Sequence, residues 1–117
     1  NINDTYGYDA GDMIIQNFTS ILKTTTRAID FIAYIENKEF IVILPAVKIN
    51  GAYTFADKIR RKVTQTKFKY KNTIIPITVS AGTSNRGSCN SLEATLKSAN
   101  KYLHIAKVGG KNRVEPS

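Results

Sequence analysis

Phe31-Ile32-Ala33-Tyr34-Ile35-Glu36-Asn37-Lys38-Glu39-Phe40-Ile41-Val42-Ile43-Leu44-Pro45 decides how the rest of the chain folds. Two runs rich in β-branched and aromatic residues flank a short polar tip, a pattern that predicts a β-hairpin. Upstream, Ile14, Phe18, Ile21 and Leu22 recur at helical spacing, which predicts a helix over 9–25 with Asp9 and Asp12 at its positive end. Residues 5–11 ahead of it read as a loop in which Gly7 can take a positive φ. Downstream, Ile49, Ala52, Tyr53, Ala56, Ile59 and Val63 share one face of a helix over 48–65, and Lys58, Arg60, Arg61 and Lys62 lie on the other. After a polar break at Lys71-Asn72, residues 73–80 read as a strand. Pro76 donates no ladder hydrogen bond there and so marks a sheet edge or a bulge. Residues 84–91 form a loop, and Asn90 with Glu93 reads as the cap of a third helix bearing Leu92, Leu96, Ala99, Leu103 and Ala106. Gly109-Gly110 ends that helix and 112–114 add a short strand. Phe18, Phe31, Phe40 and Tyr53 fall on apolar faces and read as core. The order α-β-β-α-β-α-β implies an α+β sandwich of ferredoxin-like type, a mixed sheet flanked by helices.

The chain of 117 residues is the size of one domain, spanning 1–117. An apolar fraction of 42% and a charged fraction of 22% are ordinary for a soluble globular protein. The net charge of +8 invites a nucleic-acid partner, but the basic residues are scattered over helices and loops without interleaved aromatics. Small phosphorylated ligands or a solvated basic face account for that charge at least as well, and no nucleic acid is expected. No apolar run approaches the roughly 18 residues that span a bilayer, and the polar start does not resemble a signal peptide. Cys89, alone, makes no internal disulfide and no multi-thiolate metal site, which fits a reducing, cytoplasmic setting. His104 has no partner at metal-ligand spacing and reads as a packed or surface side chain.

Several fragments, weak singly, share the order and spacing of one family. Ile2-Asn3-Asp4, Tyr6-Gly7 and Gly11-Asp12 are similar to an IND-x-(Y/F)G…GD segment, with Tyr8 in place of a usual histidine. Arg27-Ala28-Ile29-Asp30 stands at RxxD spacing before the hairpin. Leu44-Pro45, Thr78-Val79-Ser80-Ala81-Gly82 and Ala106-Lys107 through Gly110-Lys111-Asn112 correspond to LP, TVSxG and AKxxGRN elements. Over nearly its whole length the chain resembles the GGDEF domain, the diguanylate cyclase family that joins two GTP molecules into cyclic di-GMP.

The resemblance implies both a function and a loss. The signature turn Gly-Gly-(Asp/Glu)-Glu-Phe is Glu36-Asn37-Lys38-Glu39-Phe40 here. In the family the paired glycines let the backbone approach GTP phosphates, and the third residue is a carboxylate ligand of catalytic Mg²⁺. Lys38 puts an ammonium where that ligand belongs, so the resemblance implies no catalytic residue intact, no metal cofactor and no enzyme activity. A family strand and DxDxFK segment with a further metal ligand precede the IND element; the sequence starts at Asn1, N-terminally truncated relative to the family. By the same resemblance, Arg27 and Asp30 form an inhibitory-type cyclic di-GMP site supported by Lys58. Asn3 and Asp12 match the guanine-reading pair, and Lys107 and Lys111 match the phosphate-contacting pair, for GTP. Asn100 replaces a usual aspartate. The implied functions are a catalytically inactive cyclic di-GMP-binding module, a GTP-binding regulator of an attached phosphodiesterase or other output domain, or a ligand-free dimerisation unit. Implied partners are these nucleotides, a second copy, and other domains of a longer bacterial signalling protein, without membrane contact by this domain.

Overall fold

The expected hairpin is present in the computed structural model, which describes residues 8–35, 39–88 and 91–116. Strand β1 (Phe31–Tyr34) runs antiparallel to β2 (Phe40–Ile43), with Phe31 opposite Ile43 and Tyr34 opposite Phe40. The Ile35 N–H donates to the Glu39 carbonyl at 2.7 Å, so the ladder continues up to the tip. The tip residues Glu36, Asn37 and Lys38 lie outside the described residues, as do Asn3 and Asn90.

The chain divides into two units, Asn1–Pro45 with Gln65–Ile77, and Ala46–Thr64 with Thr78–Ser117. In the first unit α1 (Tyr8–Thr25) buries Ala10, Ile14 and Leu22, close to the stripe its periodicity predicts. Its Phe18 ring meets Phe40 at 4.9 Å between centroids, and Phe40 in turn meets Tyr34 at 5.0 Å. These tilted stacks seat one face of the hairpin against α1. The opposite face carries Phe31, which is 64% exposed rather than core. The reason is register: Phe31 shares its face with Ile43, also exposed, and not with Phe40.

The same unit holds a strand that the sequence reading missed. β3 (Phe68–Tyr70) pairs antiparallel with β4 (Thr73–Ile75) through a two-residue turn, Lys71-Asn72, in which both residues have positive φ. That is the conformation of the hairpin turn best matched to strand twist, and asparagine tolerates it well. Phe68 and Ile75 face each other across the pair and are both buried. The strand expected over 73–80 ends at Ile75, immediately before Pro76, whose missing N–H explains the stop.

The second unit contains α2 (Ile49–Gln65), α3 (Leu92–Val108) and a short parallel pair, β5 (Ala81–Gly82) with β6 (Val114–Glu115). Ala81 and Thr83 donate backbone N–H groups to the Arg113 and Glu115 carbonyls, each at 2.9 Å. α3 lies directly on this pair. A Cβ at Gly82 would overlap the Ala99 carbonyl and the Leu103 backbone, so the position has room only for glycine. The cap of α3 is Ser91, not Asn90: its hydroxyl accepts from the Ala94 N–H at 3.0 Å. Among the described residues the strands form three separate two-stranded pairs, where the sequence pattern suggests one sheet.

Candidate functional site

Arg27 to Asp30 is a turn closed on itself. The Asp30 N–H donates to the Arg27 carbonyl at 3.0 Å, and the Arg27 N–H donates to Asp30 Oδ2 at 2.7 Å. The guanidinium then folds over the carboxylate, with Nε 3.1 Å and Nη2 2.8 Å from Oδ1. Nη2 also donates to the Pro45 carbonyl at 2.7 Å, tying the turn before β1 to the chain after β2. This closure fixes the guanidinium in one orientation. The Asp30 side chain is 2% exposed, whereas that of Arg27 is 47% exposed. The arginine therefore keeps about half of its side chain open to solvent while the carboxylate is covered. The hydrogen bonds from Arg27 hold the Asp30 carboxyl below the usual aspartate range, against a smaller opposing effect of desolvation.

A second arginine–aspartate cluster lies in the other unit. Asp57, buried on α2, accepts from Arg60 Nε at 2.8 Å and pairs with Arg61 Nη2 at 2.6 Å. The bond from Arg60 is the main cause of its lowered pKa. Arg60 Nη1 continues to Asn112 Oδ1 at 3.1 Å. Asn112 belongs to the turn after α3, where Gly109 N–H makes the last helical bond to Ile105 O and Lys111 N–H reaches Ala106 O, the outer bond of a Schellman cap. Gly110, Lys111 and Asn112 have φ of 122°, 62° and 46° in succession. Only the first is glycine; Asn112 is of a type that tolerates the left-handed region, and Lys111 holds it at a cost. A cleft of about 260 Å³ beside them is lined by Tyr53, Asp57, Arg60 and Arg113, among others. The sequence pattern places Arg60 on the basic face of the helix with Lys58, Arg61 and Lys62 and does not single out Asp57. The available signal was the Asp-x-x-Arg spacing on a helix.

The other sequence-predicted residues fall as follows. Asp12 is exposed in the second turn of α1. Lys58 is exposed on α2, next to Asp57 in sequence. Lys107 is exposed in the last turn of α3 and Lys111 in the turn beyond it. Glu39 and Phe40 are half-buried at the start of β2. Among the described residues, no three His, Cys, Asp or Glu side chains converge as a metal site would require, and no helix is long and apolar enough to cross a membrane.

The family described as "Diguanylate cyclase, GGDEF domain" matches residues 1–113. Diguanylate cyclase A of Treponema denticola is 36% identical over 115 residues, which are 97% of this chain and 31% of that protein. Response regulator PleD of Caulobacter vibrioides is 34% identical over 116 residues, 97% of this chain and 26% of that protein. The chain thus spans under a third of the length of these curated relatives. Among solved structures, the GGDEF domain of DgcB from Caulobacter crescentus, in complex with c-di-GMP, superposes with a TM-score of 0.87 at 30% identity, covering 97% of this chain and 68% of that one. The likeness bears out the α+β, nucleotidyl-cyclase-like architecture.

Proposed function

Because this chain belongs to the GGDEF family, we propose that it is a catalytically inactive member that binds cyclic di-GMP through Arg27, within one domain of a longer signalling protein. The observation that carries this reading is a mismatch within one unit. The Arg27–Asp30 turn is intact and presents its guanidinium, while the hairpin tip reads Glu36-Asn37-Lys38. An oriented guanidinium suits a phosphate edge or a guanine, because its planar fork offers paired N–H donors and its face stacks on rings. Asp30 acts beneath it as the group that sets its orientation. The DgcB neighbour solved with c-di-GMP supports this choice of ligand.

The donor set at the tip does not fit Mg²⁺. That ion needs hard oxygen ligands, and an ammonium in its place adds like charge. Glycines at positions 36 and 37 would leave the backbone open to approach, and the sequence has Glu36 and Asn37 there. Isothermal titration with cyclic di-GMP is the direct test: the wild type binds, and Arg27→Ala binds on the order of a hundredfold more weakly. Equal affinity in the two would remove the receptor reading. Formation of cyclic di-GMP from GTP by the purified protein would remove the inactivity.

A second reading, GTP binding, is favoured by one further observation. Lys107 and Lys111 are exposed around a turn held in a costly left-handed conformation, and such strain gathers at ligand sites. On this reading their ammonium groups contact the phosphates.

A further inference from the structure

We propose that Arg60, clamped by Asp57, is a positioning residue that holds the Lys111-Asn112 turn in the conformation that presents Lys111 to nucleotide phosphate. This rests on the reading that Lys107 and Lys111 contact GTP phosphates. Arg60 itself touches no ligand in this scheme, and neither do Asp57 and Asn112.

The argument begins with the turn. Gly110 at φ 122° is the ordinary left-handed terminator of α3, and the Lys111 N–H to Ala106 carbonyl bond completes the cap. A chain with no further constraint would leave the left-handed region at the next residue. Instead Lys111 and Asn112 remain there, at φ 62° and 46°. Beyond the long bond that its carbonyl accepts from Arg113 Nε at 3.4 Å, Lys111 gains nothing locally from that conformation, so the surroundings must fix it.

Two contacts do so. From below, the Arg113 guanidinium packs over the two glycines, within 3.1 Å of where a Cβ on Gly109 would lie, and its backbone enters β6. From the side, Arg60 Nη1 donates to Asn112 Oδ1 across 52 residues of sequence. Arg60 can serve as a strut only because its own orientation is fixed. Its Nε is bound by Asp57, whose carboxylate is further occupied by Arg61. A guanidinium bonded at Nε by one partner and at Nη1 by another cannot swing, which a lysine ammonium on its flexible stem could. The left-handed pair then determines where the Lys111 side chain leaves the backbone.

The test compares GTP with guanosine in titrations of the full chain. Asn112→Gly keeps the left-handed turn accessible and removes the carbonyl that Arg60 holds; Arg60→Lys keeps the charge and removes the fork. Both should weaken GTP by about tenfold, the order of one charge-assisted contact, and leave guanosine unchanged. Lys111→Ala should add nothing further in the Asn112→Gly background. A merely structural role would weaken both ligands together, so parallel losses overturn the proposal. So does wild-type GTP affinity in Asn112→Gly when Lys111→Ala alone is weakened, and in that case the phosphate reading survives. If the wild type binds GTP no better than guanosine, the phosphate reading fails and the positioning role falls with it.

Discussion

The turn Arg27–Asp30 and the helical pair Asp57–Arg60 are the same couple at the same i,i+3 spacing, yet one displays its arginine and the other consumes it. Both carboxylates are largely covered, with side-chain exposures of 2% for Asp30 and 12% for Asp57, and both have lowered pKa values. The arginines differ: 47% exposed for Arg27 against 22% for Arg60. What separates them is the third partner. Arg27 reaches the Pro45 carbonyl through Nη2, the nitrogen that already serves Asp30, so its contacts with these two residues use Nε and Nη2 alone. Arg60 spends Nη1 on Asn112. An arginine–aspartate spacing in sequence thus carries no functional sign until the remaining guanidinium donors are accounted for.

The largest effect should come from separating binding from support in the first couple. Arg27→Ala should reduce cyclic di-GMP affinity on the order of a hundredfold, as loss of a central arginine anchor does. It should also lower the thermal midpoint, because the covered Asp30 carboxylate loses its guanidinium. Adding Asp30→Ala should recover the midpoint without recovering affinity, measured by calorimetry and thermal melts on the same samples. If the double variant regains binding, Arg27 is not the displayed group and the contrast between the two couples disappears.

Acid provides the intermediate test. Each aspartate is lowered from its ordinary 3.8, chiefly by hydrogen bonds from Arg27 or Arg60. A carboxyl with a depressed folded value binds its proton more readily when unfolded. Its stabilisation is complete above the ordinary value and drains away as pH falls through the folded one. The wild type should therefore lose stability steeply in urea titrations below about pH 4. Asp30→Asn and Asp57→Asn should each start lower at neutral pH and decline less. A variant whose acid decline matches the wild type carries no linked proton at that site.

The contrast also explains how far the sequence could be read. Arg27-x-x-Asp30 was legible because both partners sit within one turn and the family motif marks them. Asp57-x-x-Arg60 has the same spacing, but the residue that gives it meaning is Asn112, and no local pattern links positions so far apart. Phe68–Tyr70 went unread as a strand because three residues show too little alternation; the informative signal was Lys71-Asn72, a two-residue turn rather than a polar break. The exposed face of Phe31 was hidden for a different reason. A run of continuous hydrophobicity does not say which of its two faces is covered, and pairing register decided it. The helices were legible almost to their ends, because amphipathic periodicity over 17 or 18 residues leaves little ambiguity.

The smallest effect should come from Arg61, although its 2.6 Å approach to Asp57 is the shortest of the three ion pairs at Asp30 and Asp57. Distance does not rank these contacts; exposure does. The Arg61 side chain is 68% exposed, so water and salt screen it, and ordering a long side chain in one geometry offsets most of the attraction. Arg61→Ala should cost only about 0.3–0.5 kcal/mol, the usual size of an exposed i,i+4 helix pair, and the difference should vanish in high salt. Arg60→Ala should be larger and should persist in salt, since it leaves Asp57 and Asn112 without their shared partner. Urea titrations of both variants at low and high ionic strength would show this directly. Equal, salt-sensitive losses would mean that Arg60 is one more surface charge, and that the second couple does not differ in kind from any solvated helix face.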